Sequence, residues 1–170
     1  AYSTAVMGIH FNMPVWLSST LAPFVTAFFA LLTGYPSLRV KGHYFAIVTL
    51  AFNMVIFIVL MNFHQLTQGE AGITGIPKPG GKEGLFNWRD REVYYYFVLI
   101  IAVLMTALAA LIVRSRVGQT LIAIRQNEDL VGAIGIAAWK YKLFAFVISA
   151  MFGGLAGAVY AHYQSFINPE

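Results

Sequence analysis

The chain has 170 residues, 59% of them hydrophobic and 11% charged, with a formal net charge of +4 and no cysteine. A soluble domain carries roughly 25% charged residues, so this composition excludes an ordinary water-facing fold and points to a bilayer. The lack of cysteine in this stretch excludes a disulfide framework, a thiolate nucleophile and a cysteine metal site within it.

Residues 1–9 are apolar but too few to span, and no basic run precedes them as it would in a signal peptide. They read as the tail of a hydrophobic segment that begins earlier. The sequence stops at Asn168-Pro169-Glu170, just after a predicted helix. The expectation is one transmembrane domain over 1–170, incomplete at both ends. Four segments then reach the roughly 20 apolar residues that cross about 30 Å of hydrocarbon: approximately 15–32, 44–63, 94–113 and 143–162. Aromatic rings collect near their ends, at Trp16, Tyr44, Trp88, Tyr94, Trp139, Tyr141, Tyr160 and Tyr163, where amphipathic rings favour the headgroup layer. The alternative, buried helices of a large soluble protein, fits four segments of spanning length poorly.

The second segment carries Thr49 and Asn53, which share one helix face. An amide at mid-bilayer is costly unless satisfied, so these two are candidates either for a substrate path or for a bond to another helix. No Asp, Glu, Lys or Arg lies inside any of the four segments. That argues against a proton- or ion-coupled pump, whose relays need ionisable groups at depth. In the fourth segment Ser149, Gly153, Gly157 and Ala161 recur every four residues, with Ala150, Gly154 and Ala158 alongside. Such a strip lets another helix backbone come close, either as static packing or as a sliding contact in a transporter.

The connections differ in charge. The short loop at 39–43 and the long loop at 114–142 hold seven of the eleven basic residues, and two crossings separate them, so they share a side. The positive-inside rule makes that side cytoplasmic and turns both ends of the sequence outward. The opposite loop, 64–93, balances four basic with four acidic residues and is rich in Gly and Pro. It reads equally as a functional loop or as a tether.

Within 114–142, residues 118–126 are good helix formers. Asn127 can cap a second, short helix, with Glu128 and Asp129 in its first turn, where carboxylates suit the helix dipole. Gly135 is a fitting terminator in a left-handed conformation. The pattern expects Leu130, Val131 and Ile134 on one side as a docking patch; the alternative is a helix lying on lipid. His10, His43, His64 and His162 form no paired metal or catalytic motif and read as interfacial. There is no GxSxG, and residues 75–82 miss the GxxxxGK[ST] phosphate-loop spacing.

These stretches together resemble a known family. Arg39-Val40-Lys41-Gly42-His43-Tyr44 through Thr49-Leu50-Ala51-Phe52, the run Leu66-Thr67-Gln68-Gly69-Glu70-Ala71-Gly72-Ile73-Thr74-Gly75-Ile76-Pro77, Ser115-Arg116-Val117-Gly118 through Asn127-Glu128, and Tyr141 through Ala150 with Gly153-Gly154-Leu155-Ala156-Gly157-Ala158 are similar to the LivM-type membrane permease of bacterial branched-chain amino acid ABC importers. The resemblance implies an all-α membrane protein, with about four transmembrane helices and a short cytoplasmic coupling helix, that is part of a larger permease. It implies a bacterial inner-membrane location and a partner set: a second permease subunit, two ATPase subunits that bind ATP and Mg, and a soluble substrate-binding protein. No cofactor, nucleic acid or catalysis is expected on this chain. Permeases of this kind carry a cytoplasmic EAA-xxx-G element that docks in the ATPase. Asp129-Leu130-Val131-Gly132-Ala133-Ile134-Gly135 occupies its place, preceded by Glu128, with Asp for Glu and Leu-Val for Ala-Ala. Many relatives also have an acidic residue shortly after Thr-Leu-Ala-Phe, where this chain has Asn53-Met54-Val55; related systems move urea and short amides. An ATP-independent carrier or channel, or a membrane scaffold, are the competing expectations.

Overall fold

A computed structural model describes residues 1–10, 13–38, 40, 43–62, 72–74 and 91–167. It is almost wholly helical. In chain order the elements are α1 (Tyr2–His10), α2 (Val15–Ser37), α3 (His43–Asn62), β1 (Ile73–Thr74), α4 (Arg91–Arg114), α5 (Arg116–Gln126), α6 (Glu128–Ala133), α7 (Ala138–Gln164) and β2 (Phe166–Ile167). Four helices are long and apolar enough to cross a membrane: Val15–Ser37, Tyr44–Asn62, Glu92–Arg114 and Ala138–Gln164.

A helix appears at each expected span, and three of the four run longer than expected. α7 starts at Ala138 rather than near 143, so Lys140 and Lys142 lie in its first turns and not in a loop. α2 continues five residues past 32 to Ser37, with Pro36 near its end. Hydropathy locates the part of a helix that suits lipid; the hydrogen-bonded rod continues beyond it. Of the expected loop at 64–93, only residues 72–74 and the start of α4 are among the described residues. Arg39, Lys41 and Gly42 of the short basic loop lie outside them.

The centre of the fold is an antiparallel pair, α2 against α7. Thr26 faces Gly154, Gly34 faces Phe146 and Leu143, and Tyr35 meets Trp139 edge-on at 6.3 Å between ring centroids. Residue numbers climb on one helix as they fall on the other. Two rows of small residues make this approach possible. On α2, Ser18, Ala22, Ala30 and Gly34 are buried at four-residue intervals, with Thr26 between them. On α7 the facing row is Ala150, Gly154 and Ala158. Without a hydrophobic driving force between helices in lipid, close backbone approach and dispersion contact hold such pairs.

The hydroxyls in the α2 row do not need the partner. Ser18 donates to Val15 O (3.0 Å), Thr26 to Ala22 O (3.1 Å) and Pro23 O (2.9 Å), and Ser37 to Thr33 O (2.6 Å). Each side chain folds its polar atom back onto its own helix, so it packs as a small, polarity-free knob.

The other elements gather around this pair. Ala1 lies against Gly157, and Ala5 joins Ala161, Ile73 and Ile167 in one buried cluster, so α1 runs alongside the last turns of α7. β1 and β2 form a two-residue antiparallel pair, Ile73 opposite Ile167 and Thr74 opposite Phe166. Gly72 leads into it with φ +69 and lies against the Ile167 carbonyl. α3 touches the pair at one end, where Phe45 meets Phe146 at 6.4 Å. α4 touches it at the other, where Trp16 meets Phe97 at 5.8 Å and Tyr94 meets Tyr163 at 5.2 Å. The chain therefore passes back and forth along one axis, with α5 and α6 at the end shared by the last turn of α4 and the first turn of α7.

Candidate functional site

The end of the bundle that carries Arg114, Arg116, Arg125, Lys140 and Lys142, the basic end, is built by α5 and α6. Ser115 breaks α4 from α5 and caps the latter: the Gly118 amide donates to its hydroxyl at 3.3 Å. Gly118 sits against the carbonyls of Ile112 and Val113, where no side chain would fit. α5 buries Gly118 and Ile124 and ends at Asn127.

Asn127 then starts α6. Its side-chain oxygen accepts from the Leu130 amide at 3.1 Å, satisfying a donor that the first turn leaves open. Glu128 and Asp129 follow in that turn, next to the positive end of the helix dipole. The C-terminus closes with paired reverse bonds. The Gly135 amide donates to Gly132 O at 3.0 Å and the Ile136 amide to Val131 O at 3.3 Å. Gly135 has φ +84, a left-handed conformation that glycine adopts without steric cost. Six helical residues with both ends tied make a short but well-defined rod.

Its two faces differ, and here the expected patch divides. Val131 is buried at 6% exposure, while Leu130 is 66% and Ile134 74% exposed. Val131 turns toward the bundle together with Glu128, whose carboxylate holds the Lys142 ammonium of α7 at 2.6 Å. A six-residue helix cannot put positions 130, 131 and 134 all outward once 128 and 131, three apart on one side, are fastened inward. Gly132 and Gly135 have open space beside them. The outward surface is thus Leu130, Ile134 and the two glycines, and the inward surface is Glu128 and Val131.

The other predicted residues fall elsewhere. Thr49 donates its hydroxyl to Ala46 O at 2.9 Å, and Asn53 is exposed on α3. Neither lines the two clefts that flank α4. The small-residue strip of α7 is used along one edge. Gly154, Ala158 and Ala161 are buried, Gly157 meets Ala1, but Ser149 and Gly153 are exposed and nothing lies within 4 Å of where a Gly153 side chain would begin. His162 is 2% exposed, enclosed on the same side of α7 as Ala158 and Ala161. The side chains of His10 and His43, and all of His64, lie outside the described residues. Sequence reasoning missed the matching small-residue row on α2 and the buried Tyr94, whose hydroxyl donates to Val159 O at 2.6 Å. The α2 row was visible as a four-residue recurrence; the Tyr94 bond links residues 65 apart and had no local signal.

Two clefts border α4. One of about 420 Å³ lies between α2, α4 and α7, lined by Trp16, Pro23, Phe97, Met105 and Met151. The other, of about 770 Å³, lies between α4 and α7 around Val98, Phe152 and Leu155. Their walls are nearly all carbon. Among the described residues no group of three or more His, Cys, Asp or Glu side chains could hold a metal.

What the basic end offers is an anchored helix with an exposed apolar face at the mouth of the helix bundle. The comparisons agree with that membrane setting. The family described as branched-chain amino acid transport system, permease component, matches residues 1–170. The chain belongs to this family. It is 34% identical to the high-affinity branched-chain amino acid transport system permease protein LivM of Salmonella typhimurium, over all of this chain and 45% of the relative. It is 32% identical to the protein of the same name from Escherichia coli, with the same coverage. A probable branched-chain amino acid transport permease protein LivM of Methanocaldococcus jannaschii is 27% identical over 89% of this chain and 42% of its own length. The chain therefore spans less than half the length of these curated relatives. No solved structure matches it. As a member of this permease family with four helices long and apolar enough to cross a membrane, it is a multi-pass membrane protein.

Proposed function

We propose that this chain forms part of the permease subunit of an ABC importer that moves branched-chain or similar amino acids across the bacterial inner membrane. Transport proceeds by alternating access, powered by two separate ATPase subunits. A second permease completes the path and a soluble binding protein delivers the substrate. The basic end faces the cytoplasm, in keeping with the clustering of Lys and Arg there. This chain contributes no ATP site of its own.

The observation that carries this reading is α6. The resemblance assigns the ATPase-docking element to this stretch, and the helix is capped at both ends. Leu130 and Ile134 stand outward, as an apolar knob for a groove on a soluble partner must. The relatives' role in branched-chain amino acid transport supports the substrate class. Asp129, Gly135, Leu130 and Ile134 are the docking residues; Glu128 and Val131 face the bundle, away from the docking side.

The test is reconstitution of the complete permease with its ATPases and binding protein. Replacing Asp129 and Gly135, or Leu130 and Ile134 by Asp, is expected to abolish substrate-stimulated ATP turnover while the permease itself remains folded. Undiminished turnover in these variants overturns the docking assignment.

A further inference from the structure

The geometry points to the Glu128–Lys142 ion pair as the link that transmits movement of α6 into the spanning helix α7, acting as a positioning element separate from the docking face. The inference rests on the reading of α6 as the ATPase-docking helix.

The backbone connection from α6 to α7 is irregular. After Gly135, with its left-handed backbone and open surroundings, residues 136 and 137 are non-helical, and α7 begins without a side-chain cap at Ala137. Along that backbone α6 and α7 are not one continuous helix, so the backbone path between them runs through a turn. The ion pair bypasses the turn. It closes a contact between the first residue of α6 and the second turn of α7, fourteen residues apart, at 2.6 Å.

Charge placement fits this role. α7 has no acidic residue in its first turn and carries Lys140 and Lys142 near its start, where the helix dipole disfavours cations. The carboxylate that Lys142 needs comes from α6. Lys140 turns the other way, toward the Trp139 ring at 5.8 Å. Both partners are about one-third exposed, 33% for Lys142 and 36% for Glu128. A pair so exposed adds little to stability, so breaking it is expected to leave the bundle folded. Beyond Lys142, α7 engages α2 directly through Leu143 and Phe146 against Gly34. A displacement of α6 held by this pair therefore reaches the tightly packed α2–α7 interface.

The experiment uses the complete transporter with its ATPases and reads three quantities: co-purification of the ATPases, ATP hydrolysis, and substrate moved per ATP hydrolysed. E128Q and K142M are expected to leave co-purification intact and to lower substrate moved per ATP about fivefold, the low end of typical coupling between sites. The charge-swapped double variant E128K/K142E and the conservative K142R are expected to restore the ratio. A purely structural role would change the yield of complex and leave the ratio alone. The inference is overturned by wild-type ratios in both single variants with the ATPases still bound, by loss of ATPase binding in E128Q or K142M, or by a swap that fails to restore. If the unaltered transporter moves substrate with no ATPase present, the reading of α6 as a docking helix falls first, and that result is separable from the others.

Discussion

α2 and α4 have similar lengths, 23 and 24 residues, and α4 is the more hydropathic of the two. Yet α2 is inlaid along its length against α7, whereas α4 meets the bundle through a ring cluster at one end and is bordered by open clefts. The difference lies in shape. α2 offers a row of Ser, Ala, Thr and Gly every four residues and meets a row of the same kind. α4 offers Leu, Ile, Val and Met, with Ile100, Val103 and Leu111 more than 60% exposed. Hydrophobicity assigns both to the bilayer, where lipid is as apolar as leucine. Only the notched surface gains from leaving lipid for another helix.

The comparison is broken most severely at Gly154, where a side chain would collide with Thr26. G154L is expected to cost about 3 kcal/mol or more, the upper range for overpacking, and to lower thermal stability and yield in detergent. Gly153, its neighbour with open space, is the control: G153L is expected to unfold at the wild-type temperature. Equal effects at the two positions would mean that the other edge of the α7 strip forms the contact. G34A comes next. Its new methyl meets the ring of Phe146 at 2.7 Å from Cδ1, and a ring can swing aside, so about 1 kcal/mol is expected, read in the same unfolding assay.

The weaker attachment of α4 gives smaller numbers. Y94F removes the bond to Val159 O and keeps the ring stack with Tyr163; about 0.6 kcal/mol is expected, the average for a polar contact between membrane helices. A cost as large as that of G154L would show that α4 is held as firmly as α2. L111A, on the lipid-facing side of α4, is expected to stay within about 0.5 kcal/mol of wild type. A larger loss in the unfolding assay would mean that another helix covers that face.

The four spans were legible because length and hydropathy are what a bilayer selects. Their ends were less so: Lys140 and Lys142 look like loop residues by charge, yet the backbone hydrogen bonds of α7 run through them. The caps of α6 could be read from Asn127 and Gly135, since capping is chemistry between residues three to five apart. Which way Val131 and Ile134 point could not, because the orientation depends on Lys142, well beyond the reach of a local pattern. The small-residue strip on α7 was visible, but the edge in use, Gly154 rather than Gly153, is chosen by Thr26 on a helix far earlier in the chain. Its counterpart on α2, from Ser18 to Gly34, has the same four-residue period and was within reach of the same reasoning. Thr49 and Asn53 stand on a helix that touches the pair only near Phe45, so the described residues give them no shared site.

The most direct measurement is cross-linking from position 134 in membranes that contain the complete transporter. In the Ile134→Cys variant a thiol-reactive cross-linker is carried on the exposed side of α6; the Gly153→Cys variant, on α7, serves as the control. The account predicts a covalent adduct between position 134 and an ATPase subunit, with a yield that changes on ATP addition, and none from position 153. Reaction of the Ile134→Cys thiol with an impermeant reagent applied only from outside the cell, with no adduct to any ATPase, would contradict it.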